Sequence, residues 1–222
     1  MKVPARDALH LLHQAPVGIL ATHARKLDGF PYPTAMPFAP DARHRPLILV
    51  SRLAEHTRNL QDDPRAGFLV AQTLDSAVLD GARATLLGAF IPVDAEHAEA
   101  VARRYLRYHP GAQRYLALGD FGFWALRIER LRYIGGFGLA GWLEGADLDP
   151  LDALPAEEEA ALIGFFETHR ARRPGLEVAG IDRYGADLKV DGKPTRFVFE
   201  APQRDVQSLR AALTDGIERH RV

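Results

Sequence analysis

PLILVSRLAEHTRNLQDDP, residues 46–64, is the stretch from which the fold is read. Its first six residues, Pro46 to Ser51, form the clearest strand signal in the chain: an aliphatic, β-branched run bounded by a proline and a polar residue. Residues 54–62 have helical character and stop before Pro64. The strand therefore delivers Ser51 and Arg52 at its end, and one turn later come His56, Thr57, Arg58 and Asn59. Hydroxyls, guanidinium groups and the amides of a helix N-terminus together suit a phosphate. The same residues have a plainer reading, in which Ser51 and Glu55 cap the helix and the arginines face water.

Working outward, residues 5–14 predict a helix with Leu9, Leu12 and His13 on one face. Residues 17–22 predict a short buried strand, Asp28-Gly29 a turn, and 33–39 an extended stretch whose flanking prolines mark an edge or an irregular strand. Downstream, 67–72 and 82–93 predict strands, with Gly88 a candidate bulge. Residues 94–108 predict a helix with Asp94 as N-cap and Ala98, Val101, Ala102 and Tyr105 on one face. His109-Pro110 ends it. Residues 111–118 read as a second helical piece, and 121–128 and 132–137 as two strands closed at Gly135-Gly136-Phe137-Gly138, a tight corner. These strands carry short turns and only two helical excursions, which favours an antiparallel barrel with attached helices over a doubly wound parallel sheet.

Composition shifts over 145–155, where Asp147, Asp149, Pro150, Asp152 and Pro155 make a linker signature. Beyond it, 156–173 predicts a helix with a solvated first turn at Glu157, Glu158 and Glu159. Three short strands follow at 177–182, 187–190 and 196–200, the last two joined by an Asp191-Gly192 hairpin. A closing helix spans 203–219. The fold class read from this order is α+β, mainly β. Residues 1–146 form the barrel, 147–155 the linker, and 156–222 a small α-β-β-β-α domain.

Composition narrows the function. The 222 residues are 47% hydrophobic and 26% charged, which is ordinary globular usage. There are no cysteines, so disulfides, thiolate metal sites and cysteine nucleophiles are excluded. A net charge of −1 supplies no global field for nucleic acid or an anionic membrane. No apolar run approaches the ~20 residues of a membrane span, and the N-terminus lacks a signal-peptide pattern. The expected location is the cytoplasm. The glycines at 135–138 have no strand–loop–helix context for a dinucleotide, and no metal-spaced cluster or nucleophile elbow stands out.

Several separated segments together resemble the pyridoxamine 5′-phosphate oxidase-like FMN-binding split barrels, in particular their haem-utilisation and haem-degrading branch with a small C-terminal α/β domain. Gly18-Ile-Leu-Ala-Thr22 is similar to the first strand of that family. Residues 29–38 (GFPYPTAMPF) resemble the second strand, 46–64 the third with its helix, and 82–88 (ARATLLG) the central one. Residues 105–124 and 133–142 (YIGGFGLAGW) resemble the end of the barrel. The resemblance implies a six-stranded antiparallel split barrel that forms a homodimer and binds FMN or haem at the dimer interface. It implies that Thr34 and Met36 run along a flavin ring and that Val50, Ser51, Arg52, His56, Thr57 and Asn59 lie near its phosphate. Trp124 would cover the ring from the partner chain. The chain departs from flavin-binding relatives where they carry an arginine on the second strand and a lysine after the third. Here Thr34 and His56-Thr57-Arg58 stand in those places, which argues against a pyridoxamine-phosphate oxidase proper.

If haem is the ligand, a neutral imidazole is the expected axial donor, with His220, His169 and His109 as candidates. Three functions are consistent with the resemblance. The first is a flavin- or haem-dependent oxidoreductase, including one that opens the haem ring to release iron. The second is a non-catalytic haem or flavin carrier or sensor, and the third a dimeric scaffold with a decayed pocket.

Overall fold

Helix α1 (Ala5–Gln14) opens the chain and buries Leu9, Leu11 and Leu12. The computed structural model describes residues 4–15, 17–75, 78–136 and 138–219. Its contacts divide the chain into two units, Met1–Pro150 and Leu151–Val222. In the first unit, α1 is followed by β1 (Val17–His23), β2 (Pro31–Pro37), β3 (Ala39–Pro40) and β4 (Pro46–Ser51). Then come α2 (Glu55–Asp62), β5 (Arg65–Ala71), β6 (Ala82–Pro92), α3 (Ala95–Tyr108), the short α4 (Gln113–Leu116), β7 (Phe121–Gly135) and β8 (Ala140–Glu144). The strands form one sheet in the order β2-β1-β5-β6-β7-β4-β3, with β8 also paired to β7. Every pairing is antiparallel. The six long strands are those expected of a split barrel, and the short β3 and β8 are added to them. Phe38, Phe68 and Phe90 fill the interior edge to face.

The expected break between two late strands is absent, because β7 runs unbroken from Phe121 to Gly135. Glu129 and Arg130 look like a polar interruption in sequence. In the structure both are exposed beside a register shift between Leu87 and Gly88 of β6. The extra residue of this β-bulge lets two consecutive polar side chains face solvent while the ladder continues. Glycine at 88 is required there, since a Cβ would collide with the Arg127 carbonyl. The turn into β8 carries Gly136 and Gly138 at φ 97° and 87°, values that favour glycine. Phe137 lies outside the described residues. Asp94 sits at the N-cap of α3 but makes no side-chain capping bond.

A second, smaller core forms where α3 packs on the sheet, with Tyr105 fully buried against Leu47, Phe123 and Ala125. Burial raises the Tyr105 pKa, keeping the phenol neutral. In the β3–β4 turn, Asp41 accepts the N–H groups of Arg43 and Arg45 at 2.8 and 2.9 Å. His44 there takes φ 61°. Its ring is hydrogen-bonded to His13 at 2.8 Å and lies 3.2 Å from the Asp149 carboxylate.

The second unit comprises α5 (Ala156–Thr168), β9 (Leu176–Asp182), β10 (Gly185–Val190), β11 (Lys193–Val198) and α6 (Val206–Arg219). Its three strands pair antiparallel in the order β11-β10-β9. Leu162, Phe166, Ile181, Phe199, Leu209 and Leu213 supply its core. Asp191 and Gly192 take φ 51° and 78°, as a two-residue hairpin of type I′ requires. Helix α5 stops short of the expected Arg173: His169 turns extended and its Nδ1 accepts the Ala171 N–H at 3.3 Å. Helix α6 starts later than residue 203 because Asp205 caps it, accepting the Ser208 N–H at 2.8 Å. Glu159 corrects the expectation of a wholly solvated first turn. It is buried and accepts the Ile181 N–H at 3.1 Å, tying α5 to β9. Arg196 is a buried charge of this unit. Its side chain is 0% exposed and bonds Asp187 at 2.6 Å and Asp182 at 2.9 and 3.0 Å.

Candidate functional site

The site begins where β4 ends against β7. The ladder sets Ile48 opposite Trp124, Val50 opposite Gly122 and Ser51 opposite Phe121. Beyond it, the Arg52 N–H donates to the Asp120 carbonyl at 2.9 Å, and the Arg52 guanidinium donates to the Gly119 carbonyl at 3.2 Å. The Ser51 hydroxyl donates to the Asp120 carboxylate and accepts the Leu53 N–H at 3.0 Å. Ser51 therefore fastens a tight turn and does not cap α2. The α2 N-cap is Ala54, with no side-chain bond, while Glu55 pairs with Arg25 at 3.4 Å and Lys26 at 3.6 Å.

The residues singled out on α2 point to different tasks. His56 is half-buried, and burial lowers its pKa, so the imidazole is held neutral. Thr57 is fully buried and its hydroxyl has no hydrogen-bond partner among the described residues. Asn59 is also fully buried. It donates to the Thr22 hydroxyl at 2.9 Å and accepts the Arg25 N–H at 3.2 Å. Its amide is spent on fastening α2 to β1. Thr34 and Met36 lie on β2 opposite Leu20 and Gly18, with Met36 buried.

A cavity of about 640 Å³ lies beside the end of β4. Its walls include Pro92 and Val93 from the end of β6, Ala98 and Ala102 from α3, and Phe121, Phe123 and Trp124 from β7. Arg52 and Glu99 are its charged wall residues. Of the residues singled out in the sequence, Arg52 and Trp124 reach this cavity. Thr34, Met36, Val50, Ser51, His56, Thr57 and Asn59 are not in its wall. In the sequence Ala98 and Ala102 mark only a helix face, and Phe121 and Phe123 only a strand. Only pairing β7 with both β4 and β6 brings them together.

The cavity is mainly apolar and aromatic, with one arginine and one glutamate in its wall, and its volume lies in the roughly 300–1,000 Å³ range of small-molecule sites. It suits a flat apolar ligand bearing an acid group. No imidazole, thiol or phenol lines it among the described residues. His109 is engaged elsewhere, 2.7 Å from the Phe38 carbonyl. The His169 ring is held at the end of α5 by the Ala171 N–H and by edge-on contact with Phe165. His220 lies outside the described residues.

Among relatives, the chain is 33% identical over 137 residues to the chloroplastic heme oxygenase HOZ of Arabidopsis thaliana, covering 62% of this chain and 42% of that protein. The chain thus spans less than half the length of that relative. Among solved structures, it is similar to a heme binding protein from Mycobacterium smegmatis, with 28% identity, a TM-score of 0.62, and coverage of 99% of this chain and 98% of that one. A protein of unknown function from Agrobacterium tumefaciens shares the fold with a TM-score of 0.77 at 22% identity, covering 95% of this chain and 94% of that one. Among the described residues no helix is long and apolar enough to cross a membrane. The split-barrel resemblance read from the sequence is borne out, and with residues 1–149 matching the family model, the chain belongs to the CREG β-barrel family.

Proposed function

We propose that the protein binds haem in the cavity between α3 and β7 and acts in haem handling, as a homodimer. The observation that supports this most is the similarity to a heme binding protein along nearly the whole of both chains, small C-terminal domain included. The cavity has the chemistry such a ligand needs. Phe121, Phe123 and Trp124 offer apolar aromatic wall for a macrocycle, and Arg52 offers a guanidinium for its carboxylates. Among the described residues the wall holds no imidazole, thiol or phenol, so a protein ligand to the iron would come from outside it. His56, kept neutral by burial, is in the protonation state in which an imidazole can ligate or accept a proton.

Haem, when bound, supplies the iron at which dioxygen is activated, and the chain's residues orient it and exclude water. The relative among heme oxygenases favours ring opening over simple carriage. FMN is the second reading: Arg52 would then meet a phosphate. The run His56-Thr57-Arg58 stands where flavin-binding relatives carry a lysine, and haem is favoured over FMN by the similarity to a heme binding protein.

Haemin titration followed by absorbance tests the proposal. A Soret band that saturates at one haem per chain is expected, followed by loss of that band and appearance of a biliverdin-like product when reductant and air are supplied. Saturation without product identifies a carrier. A titration that never saturates, alongside saturable FMN binding, overturns the haem reading. A monomer in light scattering overturns the dimer.

A further inference from the structure

We infer that Gly122 is a specificity-determining residue of the cavity: its missing side chain leaves a flat seat for a planar ring, and the Phe121 backbone beside it meets the polar rim of that ring. This deepens the reading of the cavity as the ligand site and rests on it. Strand interiors disfavour glycine, which loses more chain entropy than alanine and packs no side chain. Where a strand keeps one, a bulge, a tight bend or the close approach of a backbone or a ligand accounts for it. Gly18, Gly88 and Gly185 follow that rule, because a Cβ there would collide with the Phe68 ring, the Arg127 carbonyl and the Phe197 carbonyl. Gly122 is different. It has no left-handed φ, and a Cβ there would meet no atom within 4 Å. The pairing of β7 with β4 runs through it without a register shift, so it marks no bulge. What adjoins Gly122 is the cavity, whose wall it joins.

Residues two apart on a strand share a face, so Gly122 lies on the same side as Trp124. A ring laid on Gly122 thus abuts the Trp124 indole, which also lines the cavity. Phe121 supplies the rim contacts. The Arg52 N–H reaches the Asp120 carbonyl at 2.9 Å, so the antiparallel alternation assigns the bonds to β4 to Asp120 and Gly122. Phe121, like Phe123, turns its N–H and C=O the other way. On that side the Val93 N–H donates to the Phe123 carbonyl at 2.9 Å, but β6 ends at Pro92, opposite Trp124. No strand residue stands opposite Phe121 there among the described residues, and α3 supplies the facing wall with Ala98 and Ala102. One donor and one acceptor of the main chain therefore border the seat. With Arg52 also in the wall, the seat takes a flat conjugated ring that carries an acid group.

Titration of haemin and of FMN into the full chain tests the seat, with Soret and flavin absorbance reporting binding. Gly122→Ala and Gly122→Leu are compared with the parent. Gly164→Leu is the control, at an exposed helical glycine of the second unit whose Cβ also meets nothing within 4 Å. For each ligand that saturates at one per chain, Gly122→Leu is expected to weaken binding at least about tenfold and Gly122→Ala less, with Gly164→Leu unchanged. The melting temperature of Gly122→Ala is expected at or above that of the parent. Equal binding of a saturating ligand by the parent and Gly122→Leu overturns the seat, and where that ligand is haemin the haem reading stands. Saturation by FMN alone, weakened in Gly122→Leu, overturns the haem reading and supports the seat. A Gly122→Ala protein that melts well below the parent makes Gly122 a structural glycine and overturns the inference without any ligand. Saturation by neither ligand overturns both.

Discussion

Two arginines, one in each unit, show opposite uses of the same side chain. Arg196 is sealed inside the C-terminal unit with two carboxylates. Arg52 stands at the end of β4 with only a neutral carbonyl bonded to its guanidinium among the described residues. Burial works against the charge of Arg196, but Asp182 and Asp187 outweigh it and raise its pKa. Its donors are spent, and they serve the fold of that unit. Arg52 keeps most of its hydrogen-bonding capacity beside an aromatic cavity. An arginine points to a site when its partners are weaker than it can attract.

The contrast is sharpest in stability. Removing Arg196 leaves two carboxylates buried without their cation, so Arg196→Ala is expected to destabilise its unit by about 3–5 kcal/mol. Calorimetry should show the C-terminal transition lost or shifted far down, and a shift within error would break the contrast. Asn59→Leu removes the partner of Thr22 and of the Arg25 N–H, for a loss of about 1–3 kcal/mol in chemical denaturation. Haemin affinity should hardly move, because Asn59 is committed to α2 and β1. Arg52→Ala should do the reverse, with stability within about 0.5 kcal/mol of the parent and haemin binding about tenfold weaker by titration.

The smallest effect concerns pH. Burial lowers the pKa of His56 in the folded protein, so the unfolded chain binds more protons as pH falls through its ordinary value near 6.5. Stability contributed by the neutral ring is present above that value and declines below it. Melting temperatures between about pH 7.5 and 5.5 should therefore fall less in His56→Gln than in the parent protein.

Much of the fold is legible in residue order. Pro46 to Ser51 forms a strand with the bounds read from its aliphatic run, and α1 likewise follows its apolar spacing. Asp191-Gly192 announces its hairpin because few other pairs tolerate two positive φ values. The continuity of β7 is hidden, since a bulge permits a polar pair that a simple alternation rule treats as a break. The cavity is hidden for another reason. Pro92, Ala98 and Phe123 are ordinary apolar residues in three separate segments, and only the pairing of β7 with both β4 and β6 gathers them. Asn59 misleads in the opposite direction: a polar residue beside an arginine and a threonine reads as a ligand contact, while its inward orientation is set by tertiary packing.

The long strand β7 also bears on how the chain is made. Strand β4 pairs on one side with the two-residue β3 and on the other with β7. During synthesis its partner emerges only after α2, β5, β6, α3 and α4 have left the ribosome. Until then a flat aliphatic edge carrying Leu47, Ile48 and Val50, all buried in the finished protein, stays open to any passing strand. Truncated nascent chains ending before Phe121 should accordingly be the ones that chaperones hold and that aggregate when released.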